Sequence, residues 1–139
     1  MIFMFNILFT GRLNRKQYIC RYFATVIITA LAFAAIEYAS GVTLDTSAEN
    51  ISKAVNAPVY LVSILASLIT LSFDLRRIYD IGMSAKFMLI PIICTIITYI
   101  PALEDSTVFY GSSALSFLFL IYLCAAKGMP EANQYEPQP

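Results

Sequence analysis

The sequence predicts an all-α membrane protein of four transmembrane helices, with both termini in the cytoplasm. Three observations carry that reading. The 139-residue chain is 59% hydrophobic and only 13% charged, where a soluble domain runs nearer half apolar and a quarter charged. Its mean hydropathy is +0.73; a chain of this size has too little interior to hide that much apolar surface, so a bilayer must cover part of it. The apolar residues also gather into four segments, at 17–39, 57–73, 87–103 and 107–126, and the cations fall almost wholly on one side of them.

The first nine residues, MIFMFNILF, are apolar but too short to span; they suit an interfacial anchor. Asn14 followed three residues later by Gln17 resembles a capping box and starts a helix near Arg15. That helix runs to about Tyr38, and after Arg21 its one charge is Glu37. A cleaved signal peptide is the competing reading of its basic start and apolar middle. The apolar stretch is long for that role and three more follow, which favours a retained span. Residues 41–56 form a polar loop with Asp45, Glu49 and Lys53, and Asn56 and Pro58 suit the start of a second helix at Ala57. Within it Ser63, Ala66, Ser67 and Thr70 fall at i, i+3, i+4 and i+7, so four small residues share one face. Such a stripe lets membrane helices approach closely; its polar alternative is the lining of a conduit.

The only charged run between two long apolar segments is FDLRRIYDIGMSAK, Phe73 to Lys86. If the second helix continues through it, Arg76 and Asp80 sit at i, i+4 and Asp74 and Arg77 at i, i+3, with Gly82 ending the helix and Ser84 capping the next. The third segment contains Pro91, expected to kink it. Pro101, Glu104 and Asp105 make a short turn before the fourth segment, and the chain closes in a polar tail, KGMPEANQYEPQP, from Lys127. The chain reads as one domain over 1–139, without an internal repeat.

Four spans place Arg12, Arg15, Lys16, Arg21, Arg76, Arg77, Lys86 and Lys127 on one side and Lys53 alone on the other. Eight against one is a strong positive-inside signal, which makes the basic side, with both termini and the central loop, cytoplasmic. Tyr18, Tyr22, Tyr38, Tyr60, Tyr99, Tyr110 and Tyr122 lie near span ends and read as an aromatic belt.

Several function classes are excluded or weakened. Histidine is absent, which removes His-dependent triads, acid–base catalysis and metal sites. Cys20, Cys94 and Cys124 have neither CxxC spacing nor an even count, and read as small packing residues. Nine basic and nine acidic residues cancel, giving no call for nucleic acid. Glu37 lies about 33 Å along the helix from Arg15, at the outer boundary and not deep in the span, which argues against a proton-coupled transporter. No catalytic residue, cofactor or metal is expected, and an enzyme acting on lipid headgroups would have only Asp74, Asp80 and Arg77 to work with.

Three blocks, GRLNRKQY (Gly11–Tyr18), RRIYDIGMS (Arg76–Ser84) and KGMPEANQYEPQP (Lys127–Pro139), together resemble a bacterial inner-membrane family, domain of unknown function 805. The family pattern is matched at Arg12, Arg15, Arg76, Arg77, Asp80, Gly82, Ser84, Gly128, Asn133, Tyr135 and Pro137. It departs at Tyr79, where the family usually carries His, at Ala85-Lys86, where it carries Gly-Trp, and at Glu136, where it carries Gly. The resemblance implies a small four-helix inner-membrane protein and supplies no activity.

The function expected is a non-enzymatic membrane module whose basic cytoplasmic face engages anionic lipid or a protein partner. Arg12, Arg15, Arg76, Arg77 and Asp80 are its candidate contacts, and a homo-oligomer or another membrane protein is a candidate partner. The alternative is a small oligomeric transporter or channel using the Ser63, Ala66, Ser67, Thr70 stripe.

Overall fold

Local sequence sets the helix ends, and the helix ends set the fold. The computed structural model describes residues 11–40, 53–100, 103 and 106–129; the expectations for the first nine residues, for Asp45, Glu49, Pro101, Glu104 and Asp105, and for the tail from residue 130 lie outside the described residues. Helix α1 spans Arg15–Ser40 (26 residues). Asn14 opens it, its Oδ1 accepting from the Gln17 N–H at 2.9 Å, which satisfies one of the amides that a helix start leaves without an intrahelical partner.

Helix α2 spans Lys53–Ile81 (29 residues). It begins four residues earlier than Asn56 and Pro58 suggest, so Pro58 lies inside it and removes one backbone bond near its start. It also continues straight through Asp74, Arg76, Arg77 and Asp80. Gly82, at φ +81, ends it: the Gly82 N–H donates to the Tyr79 carbonyl at 3.1 Å and the Met83 N–H to that of Ile78 at 3.0 Å. That pair of bonds is a Schellman motif, which needs a left-handed residue and so favours glycine. Ser84 then caps a 3₁₀ turn, Ala85–Met88, its hydroxyl accepting from the Lys86 N–H.

The third apolar segment departs from expectation. It is the 3₁₀ turn followed by a ten-residue helix α3, Leu89–Thr98. Pro91 is the third residue of α3 and so lies in its first turn, where a proline is well tolerated. Helix α4 spans Thr107–Ala125 (19 residues), and the Ser106 hydroxyl accepts from the Phe109 N–H at 3.1 Å to open it.

Segments Arg15–Ala39, Ala57–Ile81 and Thr107–Ala125 are long and apolar enough to cross a membrane, and Ala85–Thr98 is a shorter apolar helical stretch. Among the described residues the elements are helical throughout. Helix α1 packs chiefly on α2, and α3 on α4, with α4 also meeting α1. Fully buried apolar side chains are few and gather at the charged end, as Leu13, Tyr18, Ile78 and Leu123, with Met88 nearly so. Farther along, Ile28, Leu31, Leu61, Phe117 and Leu118 stand half or more exposed. An apolar band of that extent in a helical bundle is covered by lipid, so this is an all-α membrane protein with three long helices and one short.

Gly82→Ala tests the turn that joins α2 to α3. A side chain there meets both the positive φ and the Met129 thioether. The expected loss is roughly 1–2 kcal/mol, read as a lower unfolding midpoint in detergent; an unchanged midpoint would show that the turn is not under this constraint.

Candidate functional site

At the charged end, three segments far apart in sequence meet. The Leu13 N–H donates to the Arg76 carbonyl at 3.2 Å, and the Met129 N–H to the Asp80 carbonyl at 2.8 Å. The start of α1 and the chain after α4 are thereby both tied to the end of α2. Arg77 lies at their centre and is completely buried. Its Nε donates to the Leu123 carbonyl at 3.0 Å, its Nη1 to the Leu13 carbonyl at 3.2 Å and to Asp80 Oδ2, and its Nη2 to the Ala126 carbonyl. Arg12, 4% exposed, donates through Nη2 to Asp80 Oδ1 at 3.1 Å and to the Met129 carbonyl at 2.6 Å. Each oxygen of Asp80 thus holds one arginine.

Local structure explains the cluster. One helical turn separates Arg77 from Asp80, so they share a face of α2. The carbonyls that Arg77 reaches at Leu123 and Ala126, and the Ala125 carbonyl that Arg15 reaches at 2.6 Å, belong to the C-terminal end of α4, where four carbonyls lack intrahelical partners and the helix dipole favours cations. Gly128 lets the chain pass close by: a Cβ there would overlap the Asp80 carboxylate. Burying an arginine without such partners costs several kcal/mol, and the carboxylate plus three carbonyls offset it only as a complete set.

A second polar contact lies deeper in the bundle. Tyr18, fully buried, donates its hydroxyl to Asp74 Oδ1 at 2.7 Å. Tyr18 therefore does not belong to an aromatic belt, because its hydroxyl serves a buried carboxylate and not the headgroup region. Tyr38, Tyr60, Tyr110 and Tyr122 are exposed, as a belt requires.

Of the candidate contacts, Arg12, Arg77 and Asp80 are turned inward, Arg76 is half-buried and Arg15 is exposed. The ion pairs of Asp80 run to Arg77 and to Arg12, 68 residues away; Asp74 is bonded by Tyr18 where an Arg77 pairing was expected. The small stripe lies half-buried, with Ala66, Ser67 and Thr70 facing Thr25, Thr29 and Ala30 of α1 across an open groove of about 360 Å³. Its hydroxyls are engaged: Ser63 donates to the Val59 carbonyl and Thr70 to those of Ala66 and Ser67 within α2, while Ser67 pairs with the Tyr99 hydroxyl beyond the end of α3 at 2.9 Å. Among the described residues no three Cys, Asp or Glu side chains come together as metal ligands do. Sequence reasoning missed the Tyr18–Asp74 bond and the α4 carbonyls. The first had a readable signal, a tyrosine and an acid in apolar surroundings; the second had none, since backbone carbonyls carry no residue identity.

Removing Asp80 strands two buried guanidinium groups, so Asp80→Ala should cost about 3–5 kcal/mol of stability. Arg77→Lys should also destabilise, because one ammonium cannot span the four acceptors of the guanidinium fork. Thermal unfolding in detergent reads both, and near-natural midpoints in the two variants would show that the cluster does not hold the bundle.

Several of the residues that carry the family resemblance meet in or beside this cluster: Arg12, Arg77 and Asp80 as its ions, Gly82 and Ser84 as the turn beside it, and Gly128 as its close approach, while Asn133, Tyr135 and Pro137 lie outside the described residues. No curated relative and no solved structure matches the chain. A family model described as a protein of unknown function, DUF805, matches residues 6–137. Because the match covers nearly the whole chain, and its charged blocks converge on one buried cluster, the chain belongs to the DUF805 family.

Proposed function

We propose that this is a non-enzymatic module of the bacterial cytoplasmic membrane whose cation-bearing end engages anionic lipid headgroups. The observation that carries the reading is a sorting of charge. At that end the described carboxylates, Asp74 and Asp80, are buried, while Arg15, Lys16, Arg21, Lys86 and Lys127 are exposed. Burial of these two acids leaves the outward charge of the described residues at this end cationic. By the positive-inside rule this end faces the cytoplasm, whose leaflet is anionic.

In this reading the basic residues divide their roles. Arg12 and Arg77 hold the scaffold, and the exposed cations make the contacts. Each is worth about 1 kcal/mol at an anionic surface. An acidic membrane protein would answer to the same charge. A small oligomeric transporter or channel along Ser63, Ala66, Ser67 and Thr70 is the competing reading; the hydrogen bonds that already occupy those hydroxyls within the protein favour a packing seam instead.

The triple variant Lys16→Gln, Arg21→Gln, Lys127→Gln changes only exposed side chains. It should insert and unfold like the natural protein while retaining anionic lipid roughly a hundredfold less strongly, read by native mass spectrometry after extraction in a neutral maltoside. Loss of a co-purifying protein, with lipid unchanged, would shift the reading to a protein partner. Equal lipid retention by both proteins would refute it.

A further inference from the structure

Between the four helices, next to the arginine cluster, lies a second polar feature that the lipid-facing reading does not use. A cavity of about 250 Å³ is lined by Tyr22 of α1, Thr70 and Asp74 of α2, Thr95 of α3, and Ser116 and Phe117 of α4. Every helix contributes to it. Asp74 is 9% exposed, and Tyr18 engages only its Oδ1. The ion pairs beside it are closed on Asp80, so none of those arginines neutralises Asp74. Among the described residues the hydroxyls of Tyr22, Thr95 and Ser116 have no hydrogen bond to the protein, although they face a shared space.

Asp74, all but buried and without a cationic partner, calls for an occupant of the space it lines, because a buried carboxylate is stable only when it is paired. The lining chemistry specifies the occupant. A carboxylate oxygen left over by Tyr18 calls for a positive charge. The hydroxyls can accept hydrogen bonds from an ammonium, and Tyr22 and Phe117 add aromatic rings to the wall, a lining that suits a cation. A bare monovalent metal ion would fill little of the volume, whereas a small organic ammonium matches both its size and its mixed polar and aromatic wall.

We propose that this cavity is a binding site for a small organic cation, with Asp74 as its counter-ion. Tyr18 holds the carboxylate in place from the far side, and Thr95 and Ser116 orient the ammonium. The site is distinct from the outward cations, and it stands or falls independently of lipid binding.

The test is isothermal titration calorimetry on the full chain in maltoside micelles, which carry no competing headgroup amine. The probes are tetramethylammonium chloride and n-butylammonium chloride, with n-butanol as the neutral isostere of the second and sodium chloride as competitor. Saturable binding of at least one ammonium is expected, with none for n-butanol and no displacement by equimolar sodium. Asp74→Asn keeps an oxygen for Tyr18 and should weaken binding about tenfold or more. Ser116→Leu fills the cavity from the α4 side without touching Asp74 and should do the same, so the site remains testable if the first variant fails to fold. Absence of saturable ammonium binding, binding unchanged in Ser116→Leu, equal binding of the neutral isostere, or displacement by sodium would each overturn the proposal.

Discussion

The bundle depends on burying Arg77. A guanidinium without water needs nearly all of its donors matched, and no single segment of this chain supplies enough acceptors. Leu13 before α1, Asp80 on α2, and Leu123 and Ala126 at the end of α4 each provide one. The requirement therefore fixes the relative positions of three segments that are separated by 46 to 64 residues from the arginine or lie on its own helix. Arg12 completes the arrangement by using the second oxygen of Asp80 and by holding the Met129 carbonyl. Between the helices of a membrane bundle the hydrophobic effect is weak, because lipid is as apolar as leucine. Directional polar contacts at the membrane boundary carry correspondingly more of the specificity, and the scarcity of fully buried apolar side chains beyond this end agrees with that division.

This arrangement gives the charged residues two roles that net charge conceals. Arg12, Arg77 and Asp80 are consumed within the fold, and Arg15, exposed as it is, spends one donor on the Ala125 carbonyl. Lys16, Arg21, Lys86 and Lys127 stand outward. Neighbouring positions such as Arg76 and Arg77 differ by 100° around α2, enough to send one into the centre of the cluster and leave the other half-buried. An argument that treats a basic run as a single surface misses this.

How much was legible in the sequence differs by the range of the interaction. Asn14, Gly82 and Ser84 act within a few residues of themselves, and their positions mark the helix ends directly. The apolar segments were equally plain. The third was misread because length and hydropathy do not reveal a 3₁₀ start, and because Pro91 means a kink in mid-helix but is well tolerated in a first turn. The candidate site was legible as a set of residues and not as a geometry. Arg12, Arg77 and Asp80 stood out by charge, yet the partner of Asp80 at Arg12 is 68 residues away, beyond the reach of helical spacing. Tyr18 looked like a belt residue because span-end position says nothing about which way a side chain faces.

The claim that one buried cluster holds three segments together is tested most directly by hydrogen exchange on the natural protein and on Asp80→Asn, which changes charge with little change of shape. The Leu13 amide bonds to Arg76 and the Met129 amide to Asp80, so each reports the attachment of a different segment to α2. The account predicts that both lose protection together in the variant, while amides in the middle of α1 and α4 keep theirs. Loosening confined to Met129, with Leu13 as protected as before, would contradict it and reduce Asp80 to a local anchor for the C-terminal segment.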